Sequence, residues 1–147
     1  RALVTTGSGK FWSNGYDLAW MAANQDARAQ FMIDNYKLWA DVLAAPFPTV
    51  AALQGHAFGA GAVLALAHDQ RTMRVDRGYF CLPEVAIKMA FPPPMASLVQ
   101  AKLSHPTAHH AMTTGQRYGG QDAAAAQIVD EALPESEVLP RAVDRAA

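Results

Sequence analysis

Residues 49–68 read TVAALQGHAFGAGAVLALAH, and their reading decides the fold of this chain. Thr49 to Leu53 is a compact apolar run of strand length. Gly55 turns the chain, and Gly59 to His68 follows as a short helix whose apolar character on every side implies burial. A buried strand that turns into a buried helix is a building unit of an α/β layered domain. Gly59 and Gly61 flank Ala60 in the first turn of that helix, where backbone N–H groups have no intrahelical acceptor and the macrodipole is positive. Such a start suits developing negative charge. It equally suits close packing of the helix on its neighbours, and this stretch alone leaves both readings open.

Toward the N-terminus, residues 2–6 read as a short buried strand closed by Gly7-Ser8-Gly9, and Lys10 to Gly15 as a loop. Asp17 is a candidate helix cap. From about Gln25 to Ala45, apolar residues at Phe31, Leu38 and Val42, with Tyr36, Trp39 and Leu43 beside them, carry helical spacing that ends at Pro46 and Pro48. Toward the C-terminus, Arg71 to Val75 and Tyr79 to Leu82 read as two strands around Asp76-Arg77-Gly78. Phe91-Pro92-Pro93-Pro94 is a stiff loop or the start of a helix. Helices are expected near Met95 to Leu103, Pro106 to Thr114, Gln121 to Gln127 and from Glu135 onward, with a last strand in Ile128 to Leu133. Strands alternating with helices, and no repeat or interdomain linker, give one α/β domain over 1–147.

The chain has 147 residues, of which 51% are hydrophobic, enough for a core. Its formal net charge of -1 comes from scattered acidic and basic residues, which argues against nucleic acid or an anionic membrane as partner. No apolar run has the length of a membrane span. The single cysteine, Cys81, offers no disulfide and no metal-ligand spacing. That fits a reducing compartment, the cytoplasm in the simplest case and a peroxisome or mitochondrion in a eukaryote. The first residue is Arg1, running straight into an apolar stretch, and the last residues lie in a helical pattern. Both ends therefore read as cut from a longer protein.

Cys81-Leu82-Pro83-Glu84 places a lone carboxylate just after a strand. A solvated side chain is the common fate of such a Glu. Here Cys81, Leu82, Val85, Ala86 and Ile87 form an apolar neighbourhood that would raise its pKa toward the range useful for a base. Other groups have plainer roles. His109 and His110 are adjacent and point apart on a helix, so they are poor joint metal ligands. His56 and His68 are explained by packing or capping. Ser13 lacks the frame of a nucleophile elbow. Lys10 is a solvated loop lysine unless it touches a phosphate, and Trp12, Trp20 and Trp39 are packing residues.

The order Gly9-Lys10-Phe11-Trp12-Ser13-Asn14-Gly15-Tyr16-Asp17-Leu18, then Gly55-His56-Ala57-Phe58-Gly59-Ala60-Gly61, then His68-Asp69, then Leu82-Pro83-Glu84 resembles the enoyl-CoA hydratase/isomerase (crotonase) superfamily. Gly115-Gln116-Arg117-Tyr118 and Ile128-Val129-Asp130 extend the resemblance over nearly the whole chain. It implies a spiral of β-β-α units, here an internal piece without the family's first strands or the C-terminal helices used for trimerisation, and hence a homotrimer or hexamer for the whole protein. It places the two oxyanion-hole N–H groups on Tyr16 and Ala60, one catalytic acid on Glu84, and substrate-binding positions on Ser13, Gly15, Asp17, Leu18 and Gly59. The substrate implied is an acyl-CoA, with coenzyme A as part of it and no separate cofactor or metal.

One position departs from the hydratases of this family, which carry a second Glu where this chain has Val63. Valine can neither hold water nor transfer a proton. Between Glu84 and Asp122 there is no Asp or Glu to replace it. The pattern, including Lys88-Met89-Ala90-Phe91-Pro92, resembles the Δ3,Δ2-enoyl-CoA isomerases, for which one base and an oxyanion hole suffice. The expected function is acyl-CoA isomerisation by a single Glu. The alternative is a crotonase-like protein that binds an acyl-CoA or a partner with little catalysis.

Overall fold

The computed structural model describes residues 1–147. Strands β1 (Leu3–Thr6) and β2 (Phe11–Ser13) lead into helices α1 (Leu18–Ala23) and α2 (Arg28–Leu43), which are joined by a single 3-10 turn over Gln25–Ala27. Next come β3 (Thr49–Leu53), β4 (His56–Phe58) and α3 (Ala60–Ala67), followed by β5 (Gln70–Arg74), β6 (Phe80–Cys81), α4 (Pro93–Lys102), α5 (His105–Thr114) and α6 (Gly120–Ala125). Strand β7 (Glu131–Leu133) and helix α7 (Glu135–Ala146) complete the chain. The recurring order of two strands and then helix is the spiral of β-β-α units that the sequence motifs implied. All first strands pair in one parallel sheet ordered β1-β3-β5-β7, and all second strands in another ordered β2-β4-β6.

Strand β3 shows why residues 50–53 are apolar throughout. Alternate side chains leave a strand on opposite faces. Val50 and Ala52 pack with Val138, Ala142 and Ala146 of α7, whereas Ala51 and Leu53 join the main core with Val63 and Leu66 of α3. Both faces are covered, so no polar alternation survives. At the start of β3, Asp69 accepts hydrogen bonds from the Thr49 amide at 2.8 Å and hydroxyl at 2.9 Å. Beyond α3, His68 is fully buried, with ring nitrogens at 3.0 Å from Thr5 Oγ1 and 2.9 Å from the Leu64 carbonyl. These bonds give the His68-Asp69 pair a structural role.

Four expectations are corrected. The segment read as a loop from Lys10 contains β2, and the turn at Gly55 leads first into β4, not directly into the helix. Strands of three residues are too short to show a period. The helix expected from Gln25 begins at Arg28, and a separate helix α1 precedes it, started by the Asp17 side chain accepting from Trp20 N at 2.9 Å. The last strand covers only Glu131–Leu133, because Asp130 instead links back to Arg71, whose amide donates to Asp130 Oδ2 at 2.7 Å.

Candidate active site

The site forms where the second sheet delivers three chain segments side by side. Strand β4 lies between β2 and β6, with Phe58 opposite Cys81. The segments that leave these strands, Asn14 to Asp17, Gly59-Ala60 and Leu82 to Glu84, therefore emerge at one edge. Gly15 has φ +83°, and a Cβ there would stand 2.7 Å from the Phe58 carbonyl oxygen and 3.2 Å from Ala60 N. Only glycine lets this loop lie against the junction of β4 and α3. That approach brings the Tyr16 amide beside the start of α3. The Tyr16 N–H has no partner among the loop and cap hydrogen bonds.

Gly59, with φ 52° and ψ -124°, makes the turn into α3. Its N–H donates to the Cys81 carbonyl at 3.0 Å and its carbonyl accepts from Val63 N at 3.0 Å. Ala60 is thus the first residue of α3, where the backbone N–H has no acceptor within the helix. The two glycines around it have different duties. A Cβ on Gly61 would stand 2.5 Å from Ser13 Oγ, so Gly61 is there for close packing. Ser13 lies against Gly61 and lines a smaller cavity of about 400 Å³ together with Gly15, Tyr16, Asp17 and Ala60.

Glu84 is only 5% exposed. Burial raises its carboxyl pKa above the usual range, opposed by a hydrogen bond from its own backbone. Of the neighbours expected to bury it, Cys81 and Leu82 are themselves buried, whereas Val85, Ala86 and Ile87 are exposed. Oε1 of Glu84 lies 3.4 Å from where a Cβ on Gly59 would stand, directly beside the turn into α3. Oε2 is buried without a hydrogen-bond partner, as is the Tyr16 hydroxyl. The Tyr16 ring meets Phe31 of α2 edge-on, with centroids 5.4 Å apart.

A cavity of about 860 Å³ joins these groups. Gly15, Tyr16, Asp17, Leu18, Gly59, Ala60 and Glu84 all line it, and Ser13 lines the smaller cavity that shares Gly15, Tyr16, Asp17 and Ala60 with it. Much of the remaining wall is apolar and includes Met21, Met32, Met89 and Met95, flexible side chains that adapt to the shape of a guest. These methionines come from well-separated parts of the sequence, and no spacing signals their convergence. Arg117 was also missed. Its neighbour Tyr118 pairs with Phe80 of β6, which carries the guanidinium to the cavity wall, 5.6 Å from the Phe58 ring centroid. Val63 is fully buried in the main core and does not line the cavity.

The remaining candidates stay outside the cavity. His56 lies among the rings of Phe11, Phe58 and Tyr79, and His110 pairs with Gln116 at 2.6 Å on the surface. Lys10 sits 5.4 Å from the Phe11 ring centroid. Trp39 is core, while the Trp12 indole donates to the Thr5 carbonyl at 3.4 Å. No three His, Cys, Asp or Glu side chains are grouped to hold a metal ion, and no helix is long and apolar enough to cross a membrane. A buried carboxylate beside free backbone donors at a helix start has the parts to move a proton next to an oxygen that gains charge.

All of residues 1–147 match the family model for enoyl-CoA hydratase/isomerase. The peroxisomal enoyl-CoA delta isomerase 2 of Arabidopsis thaliana is 41% identical over 145 residues, covering 92% of this chain and 59% of that protein. Carnitinyl-CoA dehydratase of Escherichia coli (strain K12) is 30% identical over 145 residues, covering 97% and 54%. A crystal structure of a probable enoyl-CoA hydratase from Mycobacterium tuberculosis H37Rv has a TM-score of 0.91 at 30% identity, over 99% of this chain and 61% of that one. The chain thus spans little more than half the length of these curated relatives. With a match along its whole length and this fold, the chain belongs to the enoyl-CoA hydratase/isomerase family.

Proposed function

We propose that the protein is an acyl-CoA isomerase that moves a double bond from the 3- to the 2-position of an enoyl-CoA. Glu84 removes a proton from C2 of the 3-enoyl thioester, and the electron pair passes to the thioester oxygen, which accepts from the Tyr16 and Ala60 N–H groups. The dienolate then takes the proton back from Glu84 at C4. The proton and electrons balance within the substrate, and coenzyme A enters only as part of it. The observation that carries this reading is the single buried carboxylate of Glu84 beside the turn into α3. Its raised pKa makes it a stronger base than a solvated Glu once ionised. Val63 supplies no second acid to hold a water, so hydration of 2-enoyl-CoA is slow.

The test is to incubate the full-length protein with 3-enoyl-CoA and follow the conjugated 2-enoyl absorbance. Glu84→Gln keeps size and polarity, nearly abolishes migration and leaves acyl-CoA binding close to that of the wild type. Unchanged turnover in that variant refutes the base assignment. Tight acyl-CoA binding with no turnover by the wild type moves the protein to a binding role. For the whole protein we propose a trimer or a dimer of trimers, which light scattering showing a stable monomer would contradict. The one cysteine, buried Cys81, suits a reducing compartment, the cytoplasm or in a eukaryote a peroxisome or mitochondrion, and imaging of the tagged full-length protein decides among them.

A further inference from the structure

Helix α5 has a firmly set start. Ser104 Oγ accepts from Thr107 N at 3.4 Å and donates to Thr107 Oγ1 at 2.9 Å, and Pro106 fixes the backbone of the first turn. His105 is therefore held in helical geometry from the first residue of the helix. His105 and His109 lie four residues apart on one face of α5, a spacing that sets their Cβ atoms about 5–6 Å from each other. Two imidazoles one turn apart can bind a single cation, as they do in helical zinc motifs with this spacing.

Both side chains line a small cavity of about 320 Å³ between α4 and α5. Its floor is packed, since Ala108 is buried and Met112 lies against the main core. Its rim is open, because His105, His109 and Gln100 of α4 are all exposed. At about 30 Å³ for each water, the cavity has room for a partly hydrated cation.

The polar groups nearby are already engaged. His110 pairs with Gln116 at 2.6 Å, and the Thr113 and Thr114 hydroxyls donate to the His109 and His110 carbonyls at 2.7 Å. Lys102 Nζ, the nearest cation on α4, donates to the His68 carbonyl at 3.2 Å. The rings of His105 and His109 make no hydrogen bond or ion pair within the protein, which leaves their nitrogens free to bind.

We propose that His105 and His109 form an open two-imidazole site for a divalent transition cation such as Zn²⁺ or Cu²⁺, with the remaining coordination positions open to small ligands. Imidazole nitrogen suits these ions, whereas Mg²⁺ and Ca²⁺ need carboxylate oxygens, which this wall lacks. The positive end of the α5 dipole opposes a cation at His105, so affinity comes from the two nitrogen–metal bonds. A cation held by successive turns staples the start of α5 and stabilises the folded chain. The site stands apart from the acyl-CoA cavity and does not depend on the isomerase reading.

The experiment titrates the full-length protein, carrying no histidine tag, with Zn²⁺ by calorimetry at mildly alkaline pH, since binding requires neutral imidazole. The wild type takes up one saturable equivalent that the double variant His105→Ala, His109→Ala loses. Each single alanine variant weakens that equivalent by about tenfold or more, and His110→Ala leaves it within about threefold of wild type. Zn²⁺ raises the Tm of the wild type and of His110→Ala by the same amount, and raises that of the double variant less. Cu²⁺ binds more tightly than Zn²⁺, and its electron paramagnetic resonance spectrum shows coupling to two imidazole nitrogens, reduced to one in either single variant. His105→Gln and His109→Gln replace any alanine variant that does not fold. Absence of a saturable equivalent up to about 0.1 mM Zn²⁺ overturns the proposal. So does an equivalent that survives loss of both His105 and His109, or one that His110→Ala weakens as much as His109→Ala does.

Discussion

Replacing Gly59 by alanine separates the cost of folding from the cost of catalysis at this site. The backbone at Gly59, φ 52° and ψ -124°, is one that an L-residue adopts only under strain, costing about 1–3 kcal/mol. At roughly 2–4 °C for each kcal/mol in a domain of this size, the melting temperature should fall by about 2–12 °C. The new methyl is not itself a clash. Its nearest neighbours are Glu84 Oε1 at 3.4 Å and Pro83 Cδ at 3.9 Å, which is ordinary contact. It nevertheless occupies the space next to the oxygen that a reacting carbon must approach to about 3–3.5 Å. Displacing the substrate by about 1 Å costs on the order of 10²-fold. The expectation is therefore a folded protein with kcat/KM for 3-enoyl-CoA isomerisation reduced about 100-fold. Gly9→Ala is the control, since Gly9 also has positive φ, +72°, but a Cβ there meets nothing within 4 Å. It should lose stability and keep its activity. A folded Gly59→Ala protein with kcat/KM within about threefold of wild type would show that the reacting carbon does not approach Glu84 from the side of Gly59.

Ala60→Pro removes the proposed oxyanion donor at the first position of α3, where a missing N–H breaks no intrahelical hydrogen bond. Loss of one such donor should cost roughly 10²- to 10³-fold in kcat, about 3–4 kcal/mol, with a smaller effect on acyl-CoA binding. Ala60→Ser keeps the N–H and should retain activity, and a folded proline variant with near-normal kcat would place the oxyanion donor elsewhere. Glu84→Gln should also change stability with pH. Because burial raises the folded-state pKa of Glu84, ionisation penalises the folded state: the penalty is absent below the unfolded pKa, grows as pH rises, and is complete above the folded pKa. Thermal melts should show the variant more stable than wild type at about pH 8 and no more stable at about pH 3, and a stability difference independent of pH would contradict the stated cause.

The sequence by itself determined the elements whose pattern is complete within a few adjacent residues. Residues 50–53 are apolar on both faces, the run from Gly59 is apolar all round, Asp17 stands one residue before a helix, and prolines 46 and 48 follow the end of another. Local rules of periodicity and capping suffice for these. The motif order likewise carried Gly15, Tyr16, Gly59, Ala60 and Glu84 to one site, all of which line the same cavity. What only the tertiary structure decided depends on contacts between distant segments. Strands β2 and β4 have three residues each and take their hydrogen bonds from each other and from β6, so no local period announces them. The burial of Glu84 is of the same kind. Of its sequence neighbours Cys81 and Leu82 are buried but Val85, Ala86 and Ile87 are exposed, and the cavity beside it is closed by Tyr16, Phe58 and Met95 from other parts of the chain. The placing of Ser13 is also tertiary, since a strand's alternation turns it toward Gly61 and the smaller cavity while the loop beyond it lines the larger one. Residue order could specify which chemical groups the site contains, but the pairing of the second sheet fixed which atoms face one another.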